Sequence, residues 1–75
     1  MTPHHPELKP VESSALTAWH YDPETKVFHA RFPGGGVWAY DGVDQEHEVG
    51  FEHAASKGRY FAVHIKGKHT GRRVV

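Results

Sequence analysis

The chain has 75 residues, with nine Lys or Arg balanced by nine Asp or Glu, eight His and no Cys. That length holds one small domain, and the missing cysteine excludes a disulfide framework and a thiolate zinc site and fits a reducing, cytoplasmic compartment. No apolar run approaches the ~18 residues of a membrane-spanning helix, and the opening MTPHHPELKP lacks the basic start and apolar stretch of a secretion signal.

In chain order, residues 1–10 read as a polar, Pro-rich, flexible leader, residues 11–69 as the domain and residues 70–75 as a basic tail. The stretch SALTAWHY is rich in strand-forming Thr, Trp and Tyr. YDPETK follows, with Asp22-Pro23 placed to start a type I turn because proline fixes φ at the second turn position. KVFHARF alternates, Phe28, Ala30 and Phe32 on one face and Val27, His29 and Arg31 on the other. PGGG turns the chain again, its glycines free to take positive φ. VWAYD then places Trp38 and Tyr40 on one face. Short turns make these three segments antiparallel neighbours, a meander over about residues 14–41.

The period then changes. Val43, His47, Phe51 and Ala54 recur at helical spacing, with Asp44 placed to cap the start and Glu46 and Glu48 in the first turn. Gly50 weakens the middle by about 1 kcal/mol relative to Ala, which marks it as a point of close packing on the sheet. In GRYFAVHIKG, Tyr60, Phe61, His64 and Ile65 share a second helical face, and Gly67 is the stop. The fold class is therefore α+β: a three-stranded antiparallel meander followed by two short α-helices packed on one face, β-β-β-α-α.

Charge is segregated. Residues 1–56 carry three basic and nine acidic side chains, while residues 57–75 carry six basic ones and none acidic. Lys57, Arg59, Lys66, Lys68, Arg72 and Arg73 are thus the candidate contacts to an anionic partner, with His64 and His69 beside them. Single-stranded nucleic acid asks for such charge together with aromatic faces on which bases stack. The rings on offer are Trp19, Tyr21, Trp38, Tyr40, Tyr60 and Phe61, and the strand pattern assigns at least four of them, Trp38 and Tyr40 included, to the core. Ser56-x-Gly58 at a helix start can present backbone N–H groups to an anion; the competing use, and the commoner one, is a cap from Ser56 and a tight turn at Gly58.

Catalytic patterns are missing from the sequence. There is no Cys nucleophile and no Gly-x-Ser-x-Gly elbow, and Asp22, Glu24, Asp41 and Asp44 sit in or beside turns where capping explains them. No cofactor is called for. His4 and His5 are adjacent in the leader. His47 and His53 are six apart, about 240° around a helix axis, so they do not converge on a metal as an i, i+4 pair does. The chain reads as a non-catalytic binding module whose partner is nucleic acid, RNA ahead of DNA, held by counterion release at phosphates. The alternative is a protein-interaction module docking a larger protein. Oligomeric state is not written in the sequence.

VESSAL with the Tyr21-Asp22 turn, then VFHARFPGGGVWAYDGV, then AASKGRYFAVHIKGKH, resembles the KTSC domain family over about Val11 to His69. The features that coincide in order are Ser13-Ser14, the Gly-rich turn, the aromatic-x-aromatic strand and Ser56-x-Gly58-x-Tyr60-Phe61. The family is named for a domain at the C-terminus of some lysyl-tRNA synthetases and also occurs as small bacterial and phage proteins. Departures from its pattern are Trp38-Ala39-Tyr40 in place of Tyr-x-Tyr, Asp44 in place of a proline, His47 at a usually apolar position and His69 in place of an aromatic. The resemblance implies an RNA-binding role through the synthetase context.

Overall fold

The computed structural model describes residues 8–11 and 13–74. Five strands, β1 (Lys9–Pro10), β2 (Ala18–Asp22), β3 (Val27–Arg31), β4 (Val37–Tyr40) and β5 (Gly71–Arg73), form one antiparallel sheet in sequential order. Between β4 and β5 lie α1 (Gln45–His53) and α2 (Lys57–Tyr60), the latter continuing as a π-helical stretch, Phe61–Lys66. The α+β class holds, but the sheet has five strands where the sequence suggested three.

The two additional strands come from stretches read as leader and tail. Neither carries an alternation signal, because each is only two or three residues long. Pro10 suits an edge strand, where its missing N–H goes unasked for. Gly71 suits β5 for another reason: a Cβ there would lie 2.4 Å from Cε2 of Tyr40, the residue opposite it in register. The rest of the leader, residues 1–7, lies outside the described residues.

The meander itself follows the expected turns. Asp22 Oδ1 accepts from the Glu24 N–H at 2.9 Å and the Asp22 carbonyl from the Lys26 N–H at 2.8 Å, with Lys26 at φ 59°. In the second turn the Phe32 and Gly36 backbones are joined at 2.9 Å, and Gly34 and Gly35 take φ of 102° and 96°. Register puts Trp19 opposite Ala30, Tyr21 opposite Phe28 and Phe28 opposite Tyr40, so one face of the sheet carries the large rings.

The helices cover that face. Phe51, Phe61 and Ile65 are buried against it together with Leu16 and Val43. Rings meet stacked, tilted and edge-on: Trp19 with Phe28 at 5.6 Å, Trp19 with Phe51 at 4.8 Å and Phe61 with Tyr40 at 5.3 Å. Each fully buried Phe contributes about 1.5–3 kcal/mol by removing its ring from water. Tyr21 is buried too, and its hydroxyl donates to the Val43 carbonyl at the entry to α1.

Gly50 does permit a close approach, but by a helix, not by the sheet. A Cβ there would lie 2.2 Å from the Tyr60 hydroxyl, so the glycine makes room for a ring from α2. Asp44 stands at the N-cap without a side-chain cap bond; its carboxylate lies 3.5 Å from Lys26 Nζ instead. Gly58 packs on the loop before β2, where a Cβ would come within 2.8 Å of Ser13 Oγ. The Ser13-Ser14 and Ser56-x-Gly58 signatures, far apart in sequence, therefore meet.

Candidate nucleic-acid interface

The six basic residues do not occupy one place. Lys57 Nζ donates to the carbonyls of Glu52 at 3.0 Å and Ala54 at 3.3 Å, so its charge serves the C-terminal end of α1. It also lines a pocket of about 580 Å3 at the β1 edge, together with Lys9, Trp19 and Glu52. Lys9 Nζ stands 5.3 Å from the Trp19 ring centroid there, a cation–π contact. Arg59 is exposed on α2 and borders a groove with Ser56, Tyr60, Val63 and His64.

Lys66, Lys68, Arg72 and Arg73 lie toward the other edge of the sheet. Lys66 ends the π-helical stretch and lines a pocket of about 350 Å3 with Phe32, Trp38 and Tyr40. Lys68 is exposed in the turn that follows. Arg73 pairs with Trp38 in register, on the same face, and a Cβ on Gly36 would lie 3.7 Å from its Nη2, so its guanidinium runs along the Gly-rich turn. Arg72 points to the opposite face and forms a two-pronged contact with Asp41, Nε to Oδ2 at 3.1 Å and Nη2 to Oδ1 at 3.2 Å. That bond holds the Asp41 carboxyl below its ordinary value and raises the guanidinium's.

The Ser56 and Gly58 pair is engaged in packing: Ser56 Oγ accepts from the Arg59 N–H at 3.4 Å, and Gly58 lies against Ser13 and Ala15. Ser13 Oγ accepts from the Ala15 N–H at 3.1 Å.

Two aromatic positions stand out, Trp38, which the strand pattern assigned to the core, and Phe32 on the same face. Phe32 and Trp38 are only partly buried, packed against the core at one side and open to the Lys66 pocket at the other. Period-two alternation gives the face of a strand and is silent on how far the helices reach across it. The nearest signal was the run of glycines between these two aromatics, which supplies no side chain to cover them.

Histidines gather in two places. His47 Nδ1 is 3.0 Å from the Tyr60 hydroxyl, and the His64 and His69 rings lie 6.0 and 6.3 Å from that of His47. A polar ring at position 47 is thus accommodated by a hydrogen bond from α1 to α2. On the sheet face opposite the helices, His20 and His29 are cross-strand partners, and burial pushes the His29 imidazole below its ordinary value, with His20 and Arg72 acting the same way. Among the described residues no group of three or more His, Asp or Glu is placed to hold a metal ion. Nor is any helix there long and apolar enough to cross a membrane.

A five-stranded antiparallel sheet with helices on one face, built on 75 residues, is a small single-layer-on-sheet α+β module. The sequence model of the KTSC domain matches residues 12–69, and the chain belongs to the KTSC domain family. A KTSC domain protein from Yersinia pestis, known as a crystal structure, superposes with a TM-score of 0.85 at 35% identity, covering 92% of this chain and 97% of that one. A lysine–tRNA ligase from Nostoc sp. is 36% identical over 63 residues, 84% of this chain but 11% of the ligase. A protein from Tsukamurella paurometabola is 40% identical over 53 residues, 71% of this chain and 79% of that protein.

Proposed function

We propose that this KTSC domain is a binding module for nucleic acid, RNA ahead of DNA, acting through its basic C-terminal segment. The observation that supports this most is that Arg59, Lys66 and Lys68 are exposed with no carboxylate in ion-pair reach among the described residues. Charges without internal partners are available to phosphates, and the counterions they displace supply the affinity. A relative named for tRNA contains a matching stretch, which favours RNA as the partner class. Lys57 and Arg72 contribute less, because each already serves a bond inside the domain.

The test is fluorescence anisotropy against labelled single-stranded RNA, tRNA and duplex DNA at two salt concentrations. Micromolar binding that weakens steeply with salt, and again in a Lys66→Gln, Lys68→Gln double variant, is the expected result. No binding to any of the three at low salt would overturn the reading in favour of a protein partner, whose interface would depend on exposed apolar anchors and respond less to salt.

A further inference from the structure

We infer that the pocket between the Gly-rich turn and the end of the π-helical stretch receives one unpaired nucleobase, with Trp38 as its stacking platform and Lys66 at the flanking phosphate. This deepens the nucleic-acid reading and rests on it. The pocket is lined by Phe32, Trp38, Tyr40 and Lys66, three aromatic rings and one ammonium. The pocket at the β1 edge has one ring, Trp19, and the groove beside Arg59 has Tyr60 with the His64 imidazole; neither brings three benzenoid or indole rings together with an ammonium.

Its size points the same way. At about 350 Å3 it lies at the small end of the range that holds organic ligands, enough for one ring system with part of its sugar and not for a stack of bases. A duplex keeps its bases inside the helix, so only a single strand, a bulge or a loop can deliver one.

Three features keep the pocket open. Gly34, Gly35 and Gly36 bring no side chain over Trp38. Tyr40 is held against Gly71, so its ring rests on the strand below. Phe32 leans on Phe61 at 5.7 Å, which fixes the inner wall. Charge completes the site: Lys66 stands at the mouth, and Arg73 lies beside Trp38 along the turn. A base in the pocket would thus have Lys66 near its backbone and aromatic faces around it, the combination that single-strand sites use.

The experiment compares a short oligoadenylate with an RNA duplex of equal length, using the full chain and a Trp38→Leu variant checked for folding by circular dichroism. The intact protein should prefer the single strand, and the variant should lose about fivefold or more of that affinity while duplex binding stays unchanged. Tryptophan emission gives a second readout that needs no variant. Trp19 is only 4% exposed, so quenching on addition of oligoadenylate reports on Trp38. Single-strand binding without quenching, or equal loss for both nucleic acids in a folded variant, would overturn the base pocket and leave general nucleic-acid binding standing. Absence of binding to either would remove the nucleic-acid reading itself.

Discussion

Arg72 and Arg73 are neighbours on β5, and the pleat sends them to opposite faces of the sheet. Arg73 joins Trp38 on the face that the helices partly cover. Arg72 stands opposite Ala39 on the other face, where Asp41 takes up its charge. The two faces differ throughout in this way. One is built of large rings packed under helices, with pockets at its β1 edge and toward its β4–β5 end. The other carries Ala18, His20, Val27, His29, Val37 and Ala39, side chains without large rings of the Phe, Tyr or Trp kind, of which Ala18, Val27, Val37 and Ala39 are buried. A count of basic residues treats Arg72 and Arg73 as equals; the sheet places one beside Asp41 and the other beside Trp38.

Breaking the covered face should have the largest effect. Phe61 touches Phe28, Phe32 and Tyr40, and Phe61→Ala should cost about 3–5 kcal/mol. Against a total on the order of 4–11 kcal/mol for 75 residues, that should lower Tm by more than about 12 °C in a thermal melt. Next is Tyr21→Phe, which removes the donor to the buried Val43 carbonyl. A loss of about 1–3 kcal/mol should appear in urea denaturation, with an unchanged m-value.

Smaller in energy, and sharper as a comparison, is the arginine pair. Arg73→Gln should weaken RNA binding and reduce the salt slope by about one. Arg72→Gln should do markedly less, and Asp41→Asn, which releases Arg72, should strengthen binding. Equal losses from the two arginines would erase the distinction between the faces.

Smallest is a pH effect on the sheet face opposite the helices. Burial lowers the His29 imidazole below its ordinary 6.5, so the folded state resists protonation more than the unfolded one. The associated stability is fully present above pH 6.5 and is lost as pH falls through the lowered value. Tm should therefore decline between neutral and mildly acidic pH, and His29→Gln should flatten the decline. An unaltered slope would assign it to other histidines.

The meander and the helical stretches were legible because alternation, turn residues and helical spacing are local. Phe28, Ala30 and Tyr40 fall on the face their spacing set. The edge strands were not legible, since Lys9–Pro10 and Gly71–Arg73 are defined by what lies across from them. For Gly71, the decisive partner is Tyr40, about thirty residues back along the chain. Site residues divide similarly. Lys66 was named from charge alone, whereas Phe32 and Trp38 looked like core because a period shows which side a ring faces and never where the covering helix ends. The meeting of Ser13 with Gly58 is likewise a matter of tertiary packing, invisible in either motif by itself.

The two outer strands have a further consequence. An open sheet leaves a row of backbone donors and acceptors at each rim, and such rims invite other sheets to add on. At one rim Pro10 interrupts that row. At the other, β5 is only three residues long and carries two guanidinium groups, which repel a second copy presenting the same edge. Arg73, proposed to contact RNA, would thus also help keep the protein from assembling into extended sheets. A doubly neutralised Arg72→Gln, Arg73→Gln chain would be stripped of that guard, and its colloidal behaviour would change along with its affinity.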